Sequence, residues 1–514
     1  MTRATEDARR LVSALQSAAA YDHPVADIRV TETHISWIIL TGDFAYKVKK
    51  PVTLGFLDFS TLEKRKFFCE EELRLNRRYS PDLYLGVVPI TGTSKTPHVA
   101  GDGEPFEYAV KMQQFPDEAL FSRRLRANSV TTRHIDSLAM AIADFHARAA
   151  VARPDSSWGT ADAVWAPVEE NFRQLQISGH ESRQIAEVRR WSETEFQRLR
   201  PMFALRKRDG FVRECHGDLH ANNLLVLDDQ VRMFDCVEFN ENFRWVDVLS
   251  DLAFLCMDLA DFGRADFAHR VRNRYLETTG DYAGLAVWRY YSVYRALVRA
   301  KVAAIRSRQA TEPAQQQAAA RDLDNYLALA ERMTRPSAPT LFITHGPSGS
   351  GKSTLTEPLL EALGAIRIRS DVERQRNAAD VPIEQRYALE SRQRVYRRLA
   401  ELVESVIAAG TSVIVDATFL SRAQRTEFRQ LAARLSVAFV ILDFRTPPEV
   451  LRLRIAHRRG DASEADLAVL HAQLASAEPL DDAECRCAMV IDTTIDDPLR
   501  AMRGVISAPA ETGP

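Results

Sequence analysis

Apolar positions along the chain follow two different periods. Between Ile28 and Lys50 they alternate, in the runs TETHI, SWIIL and FAYKVKK, with Thr41, Gly42 and Asp43 between the last two. Alternation is the period of a strand with one buried face, and an acid beside a glycine between two such runs marks a hairpin. From Thr61 to Arg78 the period becomes helical, with Phe68, Leu75 and Tyr79 on one stripe. Phe106 to Phe115 returns to a strand pattern, and Ile135 to about Tyr326 is largely helical apart from a loop and strand block at Cys215 to Phe239. The pattern predicts a small sheet lobe followed by a helical lobe. Beyond a helix-like run from Gln315 to Met333, the segment TRPSAPT carries two prolines among small polar residues, which places a boundary near Pro336. After it, Leu341 to Thr344 reads as a buried strand and Leu355 to Leu363 as a helix.

Composition narrows the classes. With 514 residues and 46 % apolar content the chain can bury at least two cores. A formal charge of -2 gives no global attraction to nucleic acid, membrane or one class of charged substrate. Cys69, Cys215, Cys236, Cys256, Cys485 and Cys487 are few and scattered, the usage of a reducing compartment. Cys485 and Cys487 form a lone C-x-C with no second pair, so zinc is not expected. The N-terminus lacks an apolar signal core and no run of about 18 apolar residues occurs, so a cytoplasmic, membrane-free protein is expected. No internal repeat is present, and the end of the chain, 506–514, reads as a disordered tail.

The most specific chemistry lies just after the strand at 341–344. The string GPSGSGKST spans Gly346, Ser348, Gly349, Ser350, Gly351, Lys352, Ser353 and Thr354. Three glycines let successive backbone N–H groups turn toward one anion at the mouth of the next helix. Lys352 then reaches β and γ phosphates, and Ser353 holds magnesium. Farther on, IRIRSDVERQR sets Asp371 after a short strand, with Arg374 three residues later. A second strand ends at Asp416, followed by Arg425. Arg454, Arg458 and Arg459 cluster in a lid-like segment. A carboxylate within reach of a hydroxyl nucleophile and cations near a phosphate are what phosphoryl transfer requires. These elements resemble the small P-loop kinases of AAA type, the group of gluconate-type kinases, zeta-type toxins and phage polynucleotide kinases, over about residues 339 to 505. The resemblance implies Asp371 as base, Arg374 as substrate clamp and Asp416 as metal-shell acid, with Arg425 and Arg458 toward substrate or lid.

A second constellation occurs earlier, in CHGDLHANNLLVLDDQVRMFDCVEF. His216, Gly217 and Asp218 are followed by Asn223 five positions after the aspartate and by Asp235 at the end of a second short strand. A carboxylate for the attacking hydroxyl, with an amide and another carboxylate for magnesium, suits transfer from a nucleotide. The HGD-x-x-x-x-N string resembles the aminoglycoside phosphotransferase family, of protein-kinase-like fold, over roughly residues 25 to 330. The resemblance implies Asp218 as catalytic base, His216 as loop support, Asn223 and Asp235 as metal ligands, and Lys47 as the lysine on the phosphates, with Lys49 as fallback. Its helix partner is expected in CEEEL, at Glu72 on the Phe68 and Leu75 stripe, with Glu71 the alternative. No G-x-G-x-x-G precedes Lys47; His34 and Ser36 stand in that place, which leaves ATP and GTP both open. Asp247 and Asp251, four apart on one helical face, are open to a substrate-binding or catalytic role, with support of the catalytic loop and helix caps the favoured reading.

The fold expected is therefore multidomain, α+β and α/β: a bilobal protein-kinase-like domain over 1–335, then a P-loop parallel-sheet domain over 336–505. The function expected is a two-headed phosphotransferase using ATP or GTP and Mg²⁺ on hydroxyl groups of small metabolites. Two alternatives stand beside it: a P-loop head acting on a polynucleotide end, disfavoured by the absence of a basic and aromatic groove, and one head serving as a nucleotide-binding switch.

Overall fold

The computed structural model describes residues 3–25, 27–54, 57–377, 389–457 and 466–495. Arg458, Arg459 and the tail at 506–514 lie outside them. The chain forms two compact units, one of 1–166 with 204–258, the other of 167–203 with 259–514. No helix among the described residues is long and apolar enough to cross a membrane.

The first unit is built on a six-stranded antiparallel sheet, ordered Arg29–Glu32, Ser36–Leu40, Phe44–Lys49, Glu107–Gln113, Tyr84–Thr93, Thr96–Val99. The expected hairpin is present, with Leu40 opposite Ala45 across the Thr41–Asp43 turn. The run TETHI is only partly strand: the first strand stops at Glu32 because the Thr33 hydroxyl accepts the N–H groups of Ile35 and Ser36 and bends the chain. Trp37, Ile39, Tyr46 and Val48 pack on one face against Leu11, Val12 and Leu15. Ala45 faces the other way, toward Cys69 of helix Leu62–Asn76. Period-two alternation puts Lys47 and Lys49 on that same helix-facing side. The helix itself has no glycine, proline or β-branched residue, and Thr61 caps it by accepting the N–H of Lys64.

The second unit carries five parallel strands, ordered Ile366–Arg369, Val413–Asp416, Thr340–His345, Ala438–Arg445, Ala488–Asp492. Thr340–His345 is central, and its Leu341, Phe342 and Ile343 are buried, as a strand covered on both faces requires. Loops leaving the carboxyl ends of these strands gather where open α/β sheets bind ligands.

The edge strand Ile366–Arg369 is covered by helix Ala265–Thr279. The Asn273 amide donates to the Ala365 carbonyl at 2.9 Å and accepts the Arg367 N–H at 2.8 Å, replacing a missing strand neighbour. His269 donates from Nδ1 to the Glu361 carbonyl at 2.7 Å, a neutral imidazole because burial beside Arg272 pushes its pKa down to about 4. Arg270 and Arg274 pair with Glu357 at 3.3 and 3.0 Å. A cut near Pro336 separates this helix from the strand it covers. A protein starting near Ser337 is therefore expected to melt well below one starting near Leu259, in thermal denaturation followed by circular dichroism. Equal melting temperatures would show that the helix adds nothing to the sheet.

Candidate active sites

In the first unit, a tight loop follows strand Val212–Glu214. The buried His216 donates from Nε2 to the Phe234 carbonyl at 2.8 Å, which leaves Nδ1 to accept the Asp218 N–H at 3.3 Å. Burial lowers the pKa of His216, in keeping with a neutral ring. Asp251 accepts the N–H groups of His216 and Gly217 at 3.0 and 2.8 Å. Gly217 has φ +83° and a Cβ there would lie 2.6 Å from the Phe243 carbonyl oxygen, so only glycine fits. Asp247 is buried against Arg206, at 2.5 and 2.8 Å, and accepts the Leu249 N–H. Both aspartates thus brace the loop and the following helix.

Asp218 is partly exposed, and Asn223 donates to its carboxylate at 3.0 Å and to its carbonyl at 2.9 Å. Asp235, in a left-handed conformation with φ +62°, donates its N–H to the Tyr84 hydroxyl. Its carboxylate lies 2.5 Å from Lys47 Nζ, and Lys47 lies 2.8 Å from Glu72. Burial opposes the charge on Lys47, but Asp235 and Glu72 outweigh it and raise its pKa. Burial likewise opposes ionisation of Glu72, yet Lys47 and Lys49 hold its carboxyl below the ordinary range. Glu71 turns instead to Arg74 at 2.9 Å. Lys49 sits behind Lys47, fully buried, bonded to Glu72 at 2.8 Å and to Glu238. Glu238 escaped the sequence reading; the signal for it was that a second inward lysine on the Lys47 face needs its own acid. One cation and the oxygens of Asn223 and Asp235 are a hard donor set that fits a magnesium-bound phosphate chain.

In the second unit the phosphate loop opens helix Lys352–Leu363. Gly346 has φ +145°, and a Cβ there would meet Ser350 Oγ at 2.9 Å and the Phe444 carbonyl oxygen at 3.0 Å. Lys352 spans the loop, donating to the carbonyls of Gly346 and Pro347 at 2.9 and 2.8 Å, with the buried Ser350 Oγ at 3.4 Å. The Ser353 hydroxyl donates to Asp416 at 2.7 Å, joining the loop to the end of its neighbouring strand. That oxygen pair, at a helix N-terminus, fits a magnesium ion beside phosphates.

A cavity of about 1130 Å³ is lined by Ser348, Gly349, Gly351, Lys352, Ser353 and Thr354 of the phosphate loop together with Asp371, Arg374 and Asp416. Asp371 lies 2.5 Å from Arg374. Arg454 also lines the cavity, with Nη1 3.4 Å from the Gly349 carbonyl oxygen. Arg392, Tyr396 and Gln473, none singled out from sequence, also line it, and Gln473 accepts the Ser348 N–H at 2.8 Å. Arg425 is placed elsewhere. Its guanidinium is wholly buried, bound to both Glu484 oxygens at 2.8 and 3.0 Å and to the Phe419 carbonyl, so it braces the fold and does not reach substrate.

Two family models match separate stretches of the chain. The phosphotransferase enzyme family matches residues 106–291, and an AAA domain of P-loop kinase type matches residues 341–480. The uncharacterized protein Rv2004c of Mycobacterium tuberculosis strain H37Rv is 32 % identical over 461 residues, covering 86 % of this chain and 89 % of that one. The chain belongs to the same family. Uncharacterized protein Mb2027c of Mycobacterium bovis matches to the same extent. Solved structures similar in part include a choline kinase from Cryptosporidium parvum Iowa II, 12 % identical over 64 % of this chain and 96 % of that one, TM-score 0.40. Another is a gluconokinase from Sinorhizobium meliloti 1021, 22 % identical over 33 % of this chain and 95 % of that one, TM-score 0.26. The protein is a kinase-class phosphotransferase with two kinase-like domains.

Proposed function

We propose that each domain transfers the γ-phosphoryl group of a nucleoside triphosphate to a hydroxyl group of a small metabolite, with separate magnesium-dependent sites. The observation that carries this is that both sites bring together, from distant segments, a lysine for phosphates, oxygen donors for a metal and a further carboxylate at a position an acceptor can reach. In the first site these are Lys47, with Asn223 and Asp235, and Asp218. In the second they are Lys352, with Ser353 and Asp416, and Asp371. Magnesium bound at either place supplies neutralisation of the phosphate charge.

The residues divide the remaining work. Asp218 or Asp371 takes the proton as the acceptor O–H bond breaks and the new O–P bond forms. The bond from the γ phosphorus to the β,γ-bridging oxygen breaks, and the nucleoside diphosphate leaves. Lys47, oriented by Glu72, and Lys352 face the leaving phosphates. In the second site Arg374 stands beside the acceptor end and Arg454 over the phosphate loop. ATP and GTP are both accommodated by this scheme.

The test is a screen of hydroxyl metabolites for diphosphate release by full-length protein, run in parallel with Asp218→Asn and Lys352→Ala variants. Activity on one acceptor set lost in the first variant, and on another lost in the second, is expected. Turnover indifferent to both substitutions would refute the assignment of either site.

A further inference from the structure

Arg367 and Arg369 alternate with Ile366 and Ile368 along the edge strand of the second unit and therefore share a face. Arg367 is buried and donates from Nη1 to the carbonyl of Ser353 at 2.7 Å and to the Thr356 hydroxyl at 3.3 Å. Its Nη2 lies 2.7 Å from Glu357. Arg369 brings Nε to 3.9 Å from Asp416 Oδ2, the oxygen that accepts the Ser353 hydroxyl. One arginine thus grips the backbone of one metal-site residue, and the other stands next to the side chain of the second.

A single acid joins them. Glu277 Oε1 lies 3.1 Å from Arg369 Nη1, and its Oε2 lies 3.9 Å from Arg367 Nη2 and 3.0 Å from Arg274 Nη1. Its backbone carbonyl accepts from Arg376, on the segment that carries Asp371 and Arg374. Glu277 belongs to helix Ala265–Thr279, outside the span matched by the AAA domain and inside that matched by the phosphotransferase family.

We propose that Glu277 is a positioning residue of the P-loop site, which draws Arg369 away from Asp416 so that this carboxylate is left to the metal. The proposal rests on reading this cavity as a magnesium-nucleotide site. A guanidinium and a divalent cation compete for the same carboxylate oxygens. Without the charge of Glu277, Arg369 keeps Asp416 within 3.9 Å with less to hold it back, and its positive charge bears more fully on that carboxylate. The site's metal affinity is thereby set by a helix that the sheet's own sequence does not contain.

The experiment is a Mn²⁺ titration of full-length protein with ADP, followed by electron paramagnetic resonance, in an Asp235→Asn background that weakens the first metal site. Glu277→Gln is expected to raise the Mn²⁺ dissociation constant about 10-fold or more, the range for partners that orient metal ligands. Binding of a fluorescent ADP analogue in EDTA should not change. Glu277→Asp, which keeps the charge, should recover most of the affinity. In an Arg369→Gln background, Glu277→Gln should have little further effect, since the competitor is gone. An unchanged Mn²⁺ affinity in Glu277→Gln would overturn the proposal, as would an equal loss with and without Arg369, which marks a merely structural role. A Lys352→Ala control that keeps all nucleotide-linked Mn²⁺ binding would instead refute the P-loop reading and the proposal with it.

Discussion

Asp218→Asn is expected to lower turnover at the first site by about 10²- to 10⁴-fold, the contribution of a positioned general base, while nucleotide affinity stays near that of the native protein. The geometry separates the two effects. Asp218 is held by Asn223 and His220, at 3.0 and 3.2 Å, whereas Lys47 pairs with Asp235 and Glu72. Asparagine at 218 retains an oxygen for the Asn223 amide, and Asp251 and His216 continue to hold the backbone of the loop. Only the proton acceptor is lost. Asp235→Asn acts at the other end, where the carboxylate balances Lys47 and offers an oxygen to the metal. It should weaken magnesium-nucleotide binding as well as turnover. Steady-state kinetics on each variant in a Lys352→Ala background, which silences the second site, would distinguish the two. Native turnover in Asp218→Asn would remove that residue from the chemistry.

Much of this site was legible because its parts are close in sequence. His216, Gly217, Asp218 and Asn223 lie on one short loop whose spacing is set by backbone turns, and the same holds for Gly346 to Ser353. Glu72 could be chosen among three adjacent acids because only it shares the apolar stripe of its helix, and it is the one found beside Lys47. Glu238 was invisible to such reasoning. The strand period puts Lys49 on the inward face and so calls for an acid there, but nothing local says that Glu238, far along the chain, is the one that meets it. Arg425 failed for the opposite reason: a basic residue near a nucleotide site looks functional in sequence, while burial and the pairing with Glu484 make it structural. The helix Ala265–Thr279 is the clearest limit. Asn273 and Glu277 lie more than sixty residues before the phosphate loop in a generic amphipathic pattern, and nothing in that pattern states which strand edge the helix will cover.

The second site offers the other large effect, because its two carboxylates have like chemistry and different neighbours. Lys352→Ala should abolish productive nucleotide use there. Its ammonium spans the phosphate loop through the carbonyls of Gly346 and Pro347, and its loss removes the cation facing the β and γ phosphates. Asp371 stands beside Arg374 on the helix after the edge strand, so Asp371→Asn should mainly lower kcat, by about 10²-fold or more if it acts as base. Asp416 accepts the Ser353 hydroxyl, so Asp416→Asn should instead raise the Mg²⁺ concentration needed for half activity. Arg374→Gln, which frees the Asp371 carboxylate of its partner, should raise KM for the acceptor more than for the nucleotide. Rates measured across a Mg²⁺ series at saturating nucleotide would separate these outcomes. A kcat loss in Asp416→Asn that magnesium cannot relieve, together with a magnesium-dependent defect in Asp371→Asn, would exchange the two roles and place the acceptor on the opposite side of the phosphate loop.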